Sequence, residues 1–152
     1  MAENALRKCR AVDGEAVLGV DTAVVLDGRL YGKPSGESEA REWLARLSGR
    51  EHDVRSAIAL RRRGAEQISA DITRVRFRPL AQVEIDWYVR SGEWRGRAGG
   101  YAIQGRAAAL VDRIDGDFWT VVGLPVRELV HMAPDLVTSA EPSGGGAPPP
   151  FR

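Results

Sequence analysis

Apolar residues recur along the chain with two different periods, which predict the order of its helices and strands. Residues 2–12 carry small and apolar side chains loosely on one side and predict a first helix. A nearly continuous apolar run then predicts a strand over 17–26, and the turn dipeptide Asp27-Gly28 favours a tight hairpin after it. Apolar residues spaced three and four apart over 35–49 predict the clearest helix of the chain.

Alternation of apolar and polar residues predicts a second hairpin. Residues 54–60 and 68–72 both alternate, and the arginine-rich segment between them is expected to form a solvated turn. The apolar phase slips in the second strand, which predicts a bulge or a strand end near Thr73-Arg74. A helix over 80–89 is expected to follow.

The last third of the chain predicts one more hairpin and one more helix. Residues 107–114 and 118–122 lie on either side of Asp115-Gly116, a dipeptide that is typical of hairpin turns. Pro125 is suited to the first position of a final helix that runs over 124–131.

These elements predict one domain over 1–137 and a tail over 138–152. The tail is rich in Pro, Gly and Ser and has no apolar periodicity, so it is expected to be disordered. Strands mix with helices, and the hairpins require antiparallel pairs. The expected fold class is therefore α/β (or α+β), with a mixed β-sheet flanked by helices.

Composition excludes several classes of protein. Lys and Arg together number 22 and Asp and Glu 21, so the net charge of +1 gives no electrostatic reason to expect binding to nucleic acid or to a membrane. One cysteine excludes an internal disulfide, and one cysteine with two histidines is too few for a zinc site. No apolar run approaches the roughly 20 residues of a membrane helix, and the first residues lack the apolar core of a secretion signal, so neither is expected. A cytoplasmic protein is expected.

Asp21 is the first candidate for chemistry, because an ionisable acid interrupts an otherwise apolar strand. Burying a lone carboxylate is unfavourable unless a cation, a metal or several donors meet it, and Lys33 lies just past the next turn. A strand-end aspartate that caps a turn is the simpler alternative. The glycine-dense segment 92–105 is a second candidate, since such loops let backbone amides approach phosphates, although glycines also serve ordinary turns.

Four segments, in order, resemble the motifs of the Maf family, the septum-formation-inhibitor-like nucleoside triphosphate pyrophosphatases. The first is V-L-G-V-D-T-A-V-V-L-D-G-R-L-Y-G-K-P over 17–34. The others are Leu47-Ser48-Gly49-Arg50 with His52 and Val54, Gly92-Glu93 with the segment 98–105, and the segment 121–125, V-V-G-L-P. Any one of them alone is weak, but four in sequence form a specific resemblance.

The resemblance implies a fold and a reaction. The fold is an elongated mixed sheet with helices on both faces, related to the inosine triphosphatase-like fold. The reaction is hydrolysis of a nucleoside triphosphate between its α and β phosphates, which releases the monophosphate and pyrophosphate. It implies a divalent cation, Mg²⁺ or Mn²⁺, bound through carboxylate and phosphate oxygens, and it implies a homodimer.

The resemblance also assigns roles to five residues. Asp21 matches the proton acceptor that activates water and is expected to touch the metal, while Thr22 and Gln104 match positions that select the base. Lys8 and Lys33 match cations that bind phosphate. This combination resembles the dTTP/UTP branch of the family. The alternative for Lys8 and Lys33 is that they are ordinary surface lysines. The alternative for Gln104 is that its amide only braces its own loop.

Two departures from the family pattern bear on activity. Arg97 stands where the family often has lysine, which keeps the charge and changes its geometry. The opening strand and the Ser-x-x-Ser-Pro-Arg-Arg segment of the family are not found before the first helix, so the sequence is interpreted as an N-terminally short form. The alternative function is therefore a truncated, inactive nucleotide-binding protein or an interaction protein related to cell division.

Overall fold

The computed structural model describes residues 1–138, which form five strands and six α-helices. The strands are β1 (Ala16–Leu26), β2 (Arg29–Tyr31), β3 (Glu51–Arg62), β4 (Ala65–Phe77) and β5 (Val111–Asp115). The helices are α1 (Ala2–Arg10), α2 (Glu37–Leu47), α3 (Gln82–Arg90), α4 (Phe118–Val122), α5 (Val126–Met132) and α6 (Asp135–Thr138). Two short 3₁₀ helices lie at Ala98–Gly100 and Arg106–Leu110.

The strands form one sheet in the order β2-β1-β3-β4-β5. The two predicted hairpins β1–β2 and β3–β4 are present, and their turn residues, Asp27-Gly28 and Arg63-Gly64, all have positive φ. This is the turn geometry whose twist matches that of the adjoining strands. The α/β class is confirmed, but the sheet is not mixed within residues 1–138. All four strand pairings there are antiparallel. Hairpins connect β1 to β2 and β3 to β4, and helical segments connect β2 to β3 and β4 to β5.

The sheet buries apolar residues on both faces. On one face, Val54 and Val75 belong to the main core with side chains from α2 and α3. On the other face, Ala57 and Ala59 pack against α1 in a smaller cluster. Successive side chains of β3 point to opposite faces of the sheet, and helices pack against both faces.

The predicted bulge or strand end at Thr73-Arg74 is wrong, and the register shift of β4 lies instead in its pairing with β5, between Arg76 and Phe77. The register between β3 and β4 is unbroken from Glu51↔Arg76 to Arg62↔Ala65. The apolar phase slips because Ile68 and Ile72 face solvent, with 47% and 54% of their surface exposed. The next apolar residues of β4 lie on the opposite, core-facing side. A regular strand that exposes isoleucines on one face produces the same sequence pattern as a bulge.

The predicted third hairpin is also wrong, since residues 118–122 form α4 instead of a strand. The Asp117 side chain caps this helix by accepting from the Trp119 backbone N–H at 2.8 Å. The Thr73 hydroxyl holds Asp117 from β4, through contacts of 2.8 Å to its backbone N–H and 3.1 Å to its carbonyl. Of residues 107–114, the first part forms a 3₁₀ helix and the rest belongs to β5, which pairs with β4.

Smaller differences concern the ends of elements. α1 ends at Arg10 and not at residue 12, and Pro125 precedes the first residue of α5. Thr138, the first residue of the predicted tail, ends α6, and the rest of that tail lies outside the described residues. No helix within 1–138 is long and apolar enough to cross a membrane.

His52, near the start of β3, is buried among aromatic rings. Its Nε2 lies 2.8 Å from the Tyr101 hydroxyl, and its ring packs edge-on against Phe77 and Tyr101. Nδ1 is buried and has no hydrogen-bond partner in the part of the chain that the structure describes. Burial lowers the pKa of His52 from 6.5 to about 4. The motif that contains His52 therefore contributes packing.

Acid is expected to destabilise the fold through His52. The unfolded chain binds a proton on this ring near pH 6.5, whereas the folded chain does so only near pH 4. The unfolded state thus holds more protons between these values. The free energy of unfolding should fall by up to about 1.4 kcal/mol per pH unit in this window, about 3 kcal/mol in total. Urea unfolding from pH 7.5 to 4.5 measures the slope. His52→Gln should flatten it and the exposed His131→Gln should not; an unchanged slope in His52→Gln would contradict the assignment.

Candidate active site

A pocket opens at the free part of the β1 edge. β2 pairs only with Val24–Leu26, so within residues 1–138 the first part of β1 has no strand on that side. The pocket lies there, between α1, the loop before the second 3₁₀ helix, and the end of α4. Its lining includes all five residues assigned from the sequence: Lys8, Asp21, Thr22, Lys33 and Gln104. Arg97 also lines it.

Asp21 is a mostly buried carboxylate held by two donors from α1. Lys8 Nζ lies 2.8 Å from Asp21 Oδ1, and the Asn4 amide donates to Oδ2 at 3.2 Å. Burial raises the pKa of Asp21, but the hydrogen bonds from Lys8 and Asn4 and the Lys8 charge outweigh it, and the net pKa lies below the usual value. Asp21 is therefore ionised at neutral pH. It does not serve as a strand-end cap.

Gly19 allows α1 to lie close enough for these contacts. A Cβ atom at this position would lie 2.0 Å from the Ala5 carbonyl oxygen and 2.6 Å from the Cys9 backbone nitrogen. The backbone of α1 therefore touches β1 two residues before Asp21. The helix in turn brings Asn4 and Lys8, one turn apart on the same face, over the carboxylate.

The two lysines differ in their partners. Lys8 Nζ donates to the Val20 carbonyl at 2.8 Å as well as to Asp21. Lys33 is exposed, and no salt bridge joins it to any residue within 1–138. The sequence has two lysines among its 22 Lys and Arg residues, and both of them line the pocket. Every other cationic side chain apart from histidine is an arginine.

The glycine-dense loop forms the opposite wall. Gly99 has φ 67°, and a Cβ there would lie 2.6 Å from Val24, so the loop approaches β1 as only glycine permits. The Gly99 N–H donates to the Gly32 carbonyl at 2.8 Å, which ties the loop to the residue before Lys33. The Ala102 N–H donates to the buried Tyr88 hydroxyl at 3.0 Å. The loop is thus fixed before any ligand binds.

Gln104 lies at the end of this loop with an exposed side chain. Its amide makes no hydrogen bond to another residue of the described chain. The alternative that Gln104 braces its own loop therefore has no contact to support it. Glu93 has that role, since its carboxylate accepts from the Arg106 N–H at 2.7 Å, at the start of the second 3₁₀ helix.

Sequence reasoning missed the contribution of Asn4, Gly123 and the buried hydroxyls below Thr22. The spacing of Asn4 and Lys8, four residues apart on a predicted helix, was a usable signal. Gly123 lies in the fourth motif and lines the pocket beside Thr22, with its carbonyl oxygen 3.5 Å from the Thr22 hydroxyl. The buried hydroxyls come from distant parts of the chain and carry no pattern.

The site suits a divalent cation only in part. Residues 1–138 contain no group of three or more His, Cys, Asp or Glu side chains that could hold a metal. Asp21 is the acidic residue among the described side chains of the pocket. Mg²⁺ is commonly bound through one or two carboxylates together with substrate phosphates. The residues present fit a cation that is shared with phosphate oxygens, and they do not form a cage of protein ligands.

The chain is similar to known pyrophosphatases along most of its length. The family model described as "Maf-like protein" matches residues 1–136. A dTTP/UTP pyrophosphatase of Symbiobacterium thermophilum is 51% identical over 132 residues, which cover 84% of this chain and 68% of that protein. One from Thermus thermophilus is 52% identical over 125 residues (82% and 67%), and one from Methylococcus capsulatus is 48% identical over 134 residues (88% and 66%).

The chain thus spans about two thirds of the length of these relatives. The matched region nonetheless contains the sheet, both helical layers and the whole pocket described above. With a family match that runs over nearly all described residues and an identity close to one half, the chain belongs to the Maf family.

Proposed function

We propose that this chain hydrolyses dTTP and UTP to the nucleoside monophosphate and pyrophosphate. Water supplies the oxygen that bonds to the α-phosphorus, and the bond from this phosphorus to the oxygen bridging the α and β phosphates breaks. The water loses a proton to a base, and pyrophosphate leaves with the bridging oxygen. The names of the similar proteins support this reaction and this pair of substrates.

The observation that carries the proposal is the combination of charges in one pocket. An ionised carboxylate, Asp21, lies beside Lys8, and the same pocket contains Lys33, Arg97 and Gln104. Triphosphate hydrolysis needs cations that hold the phosphates and a base for the attacking water. In this arginine-rich chain both lysines line the pocket, where each can bind phosphate as a compact point charge beside the guanidinium of Arg97.

The Lys8–Asp21 pair links the binding of substrate to the release of the Asp21 carboxylate. In this structure the Lys8 ammonium lowers the pKa of Asp21, which weakens it as a proton acceptor. A bound triphosphate competes for the same ammonium. Each Lys8 donor that moves to phosphate frees a lone pair of the Asp21 carboxylate, which can then accept from the attacking water or bind the cation.

The proposal includes a divalent cation, Mg²⁺ or Mn²⁺, held by Asp21 together with substrate phosphate oxygens. When bound, such an ion neutralises phosphate charge and makes the attacking water more acidic. Lys33 and Arg97 hold the remaining phosphate charge at the mouth of the pocket, where Lys33 has no competing carboxylate among the described residues. Thr22 and Gln104 contact the nucleobase of the substrate.

A homodimer, which the family resemblance implies, and a cytoplasmic location, which the sequence predicts, are also part of the proposal. Sedimentation equilibrium of the purified chain tests the dimer. A mass of twice the 16.6 kDa of one chain is expected, and a mass that stays at one chain over the whole concentration range would contradict it.

Pyrophosphate release tests the reaction. The purified chain is incubated with dTTP, UTP, CTP and 7-methyl-GTP, with Mg²⁺ or Mn²⁺ and with EDTA in place of the metal. Turnover of dTTP and UTP should exceed that of the other two nucleotides and should stop with EDTA. Separating pyrophosphate from inorganic phosphate among the products shows which bond is cleaved.

Three results would contradict the proposal or a part of it. Release of inorganic phosphate in place of pyrophosphate would mean cleavage at the terminal phosphate. Turnover in the presence of EDTA would mean that the reaction does not need a divalent cation. A folded protein that binds UTP without any turnover would favour the non-hydrolytic nucleotide-binding alternative.

A further inference from the structure

A row of polar side chains crosses the core face of the sheet next to the pocket. Thr22 on β1 lies in register with Ser56 on β3, and Ser56 lies in register with Asp71 on β4. α4 covers the row and adds Thr120; both Ser56 and Thr120 are fully buried. Thr22 also lines the pocket together with Gln104, so the row connects the interior of the protein to the candidate site.

The contacts fix the direction in which two of these hydroxyls donate. Thr120 Oγ1 lies 2.6 Å from an Asp71 carboxylate oxygen, which only accepts. Ser56 Oγ lies 3.0 Å from the Thr120 carbonyl oxygen, which also only accepts. The two backbone N–H groups that follow α4 both bond to the Trp119 carbonyl. Ser56 is therefore the donor that the described structure provides to the Thr120 carbonyl, and its single hydrogen is used there.

The direction of the Thr22 hydroxyl follows. Its Oγ1 lies 2.7 Å from Ser56 Oγ. Since the Ser56 hydrogen is already used, Thr22 must donate in this contact. The other group near Thr22 Oγ1 is the Gly123 carbonyl at 3.5 Å, which again only accepts. With either partner the Thr22 hydrogen points into the protein, and an oxygen lone pair remains for a ligand.

We propose that Ser56 is a positioning residue that makes Thr22 a hydrogen-bond acceptor for the N3–H group of uracil and thymine. The inference rests on the proposed function and deepens it. Uracil and thymine carry a donor at N3, whereas cytosine carries a lone pair there, so cytosine would place two acceptors against each other. Gln104 offers both a donor and an acceptor and serves either base by turning its amide. Selection against cytosine therefore comes from Thr22 and from the serine behind it.

Binding and turnover together test the inference. Calorimetry measures the dissociation constants of the α,β-methylene analogues of UTP and CTP, and pyrophosphate release measures kcat/KM for UTP and CTP. The variants are Ser56→Ala and Thr22→Val. Ser69→Ala is the matched control, because Ser69 lies on the same face of the sheet but donates to Glu128, at 2.7 Å, outside the row.

The wild-type chain should prefer the UTP analogue, and Ser56→Ala should reduce this preference by about tenfold, the effect of one hydrogen bond. The reduction should come from tighter binding of the CTP analogue, because the freed Thr22 hydroxyl can rotate and donate to N3 of cytosine. A damaged fold cannot produce that gain. Thr22→Val should lose the preference through weaker UTP binding, and Ser69→Ala should keep it. Equal weakening of both nucleotides in Ser56→Ala would overturn the inference.

The same measurements separate failure of the inference from failure of the proposed function. Turnover of UTP and CTP at equal rates by the wild type would leave the hydrolase standing and refute base selection by Thr22. Preferential binding of the UTP analogue that Ser56→Ala relaxes, without any pyrophosphate release, would refute the hydrolase and keep the inference as a property of binding. Failure of the folded chain to bind either analogue would refute both.

Discussion

Asp21→Asn is expected to lower kcat for UTP about 100- to 10,000-fold, the usual contribution of a general base. Asparagine keeps the size of the side chain and can still accept from Lys8, but it cannot take a proton from water. It is also a poorer ligand for a hard divalent cation. Because the lost function acts in the chemical step, the fall should be in kcat, with a much smaller change in the affinity for the UTP analogue.

Asp27→Asn is the control for Asp21→Asn. Asp27 lies in the turn that follows the same strand, outside the pocket, and it adopts a positive φ that asparagine tolerates well. It should retain wild-type kcat. If Asp21→Asn retained kcat as well, Asp21 would not be the base that takes the proton from water.

Gly19→Ala is expected to have the largest effect on stability, about 3 kcal/mol or more, at the upper end of the range for overpacking. The added Cβ would meet backbone atoms of Ala5 and Cys9 at 2.0 and 2.6 Å, and backbone cannot move aside as a flexible side chain can. α1 must therefore shift away from β1. Since α1 carries Lys8 and Asn4, the variant should also lose activity and should bind the UTP analogue more weakly.

Gly32→Ala is the matched control for this substitution. A Cβ at Gly32 meets nothing within 4 Å, and its φ is not in the positive range. Urea denaturation should give a normal midpoint for Gly32→Ala and a much lower one for Gly19→Ala. A Gly19→Ala protein of wild-type stability would mean that α1 does not lie against β1 as described.

The hairpins were predictable because their signals are local. Asp27-Gly28 follows an apolar run and Arg63-Gly64 lies between two alternating segments, and each turn needs only the residues that form it. The segment 118–122 was not predictable in this way. Its residues, F-W-T-V-V, have the composition of a strand, and the cap at Asp117 that makes it a helix is held by Thr73, a residue 44 positions earlier. Tertiary contact overrides propensity there.

The candidate site also has a part that the sequence predicts and a part that only tertiary packing decides. The motifs pointed to Asp21, Thr22, Lys33 and Gln104, and the structure brings these residues together with Lys8 around one pocket. What the sequence could not predict is the arrangement that sets their chemistry. The spacing of Asn4 and Lys8 places them on one face of α1, but the approach of that face to Asp21 depends on how distant segments pack. The same holds for the buried hydroxyl of Ser56 behind Thr22.

The confinement of both lysines to the pocket has a consequence for chemical labelling. Apart from the α-amino group, amine-selective acylating reagents have only Lys8 and Lys33 to modify, so each side-chain adduct reports on the pocket itself. Lys33 should react first, because the Lys8 ammonium is held by Asp21. Peptide mass spectrometry of the labelled chain then becomes a footprint of nucleotide occupancy. A reactive acyl group attached to a uridine nucleotide would be directed to the same two amines as a covalent probe.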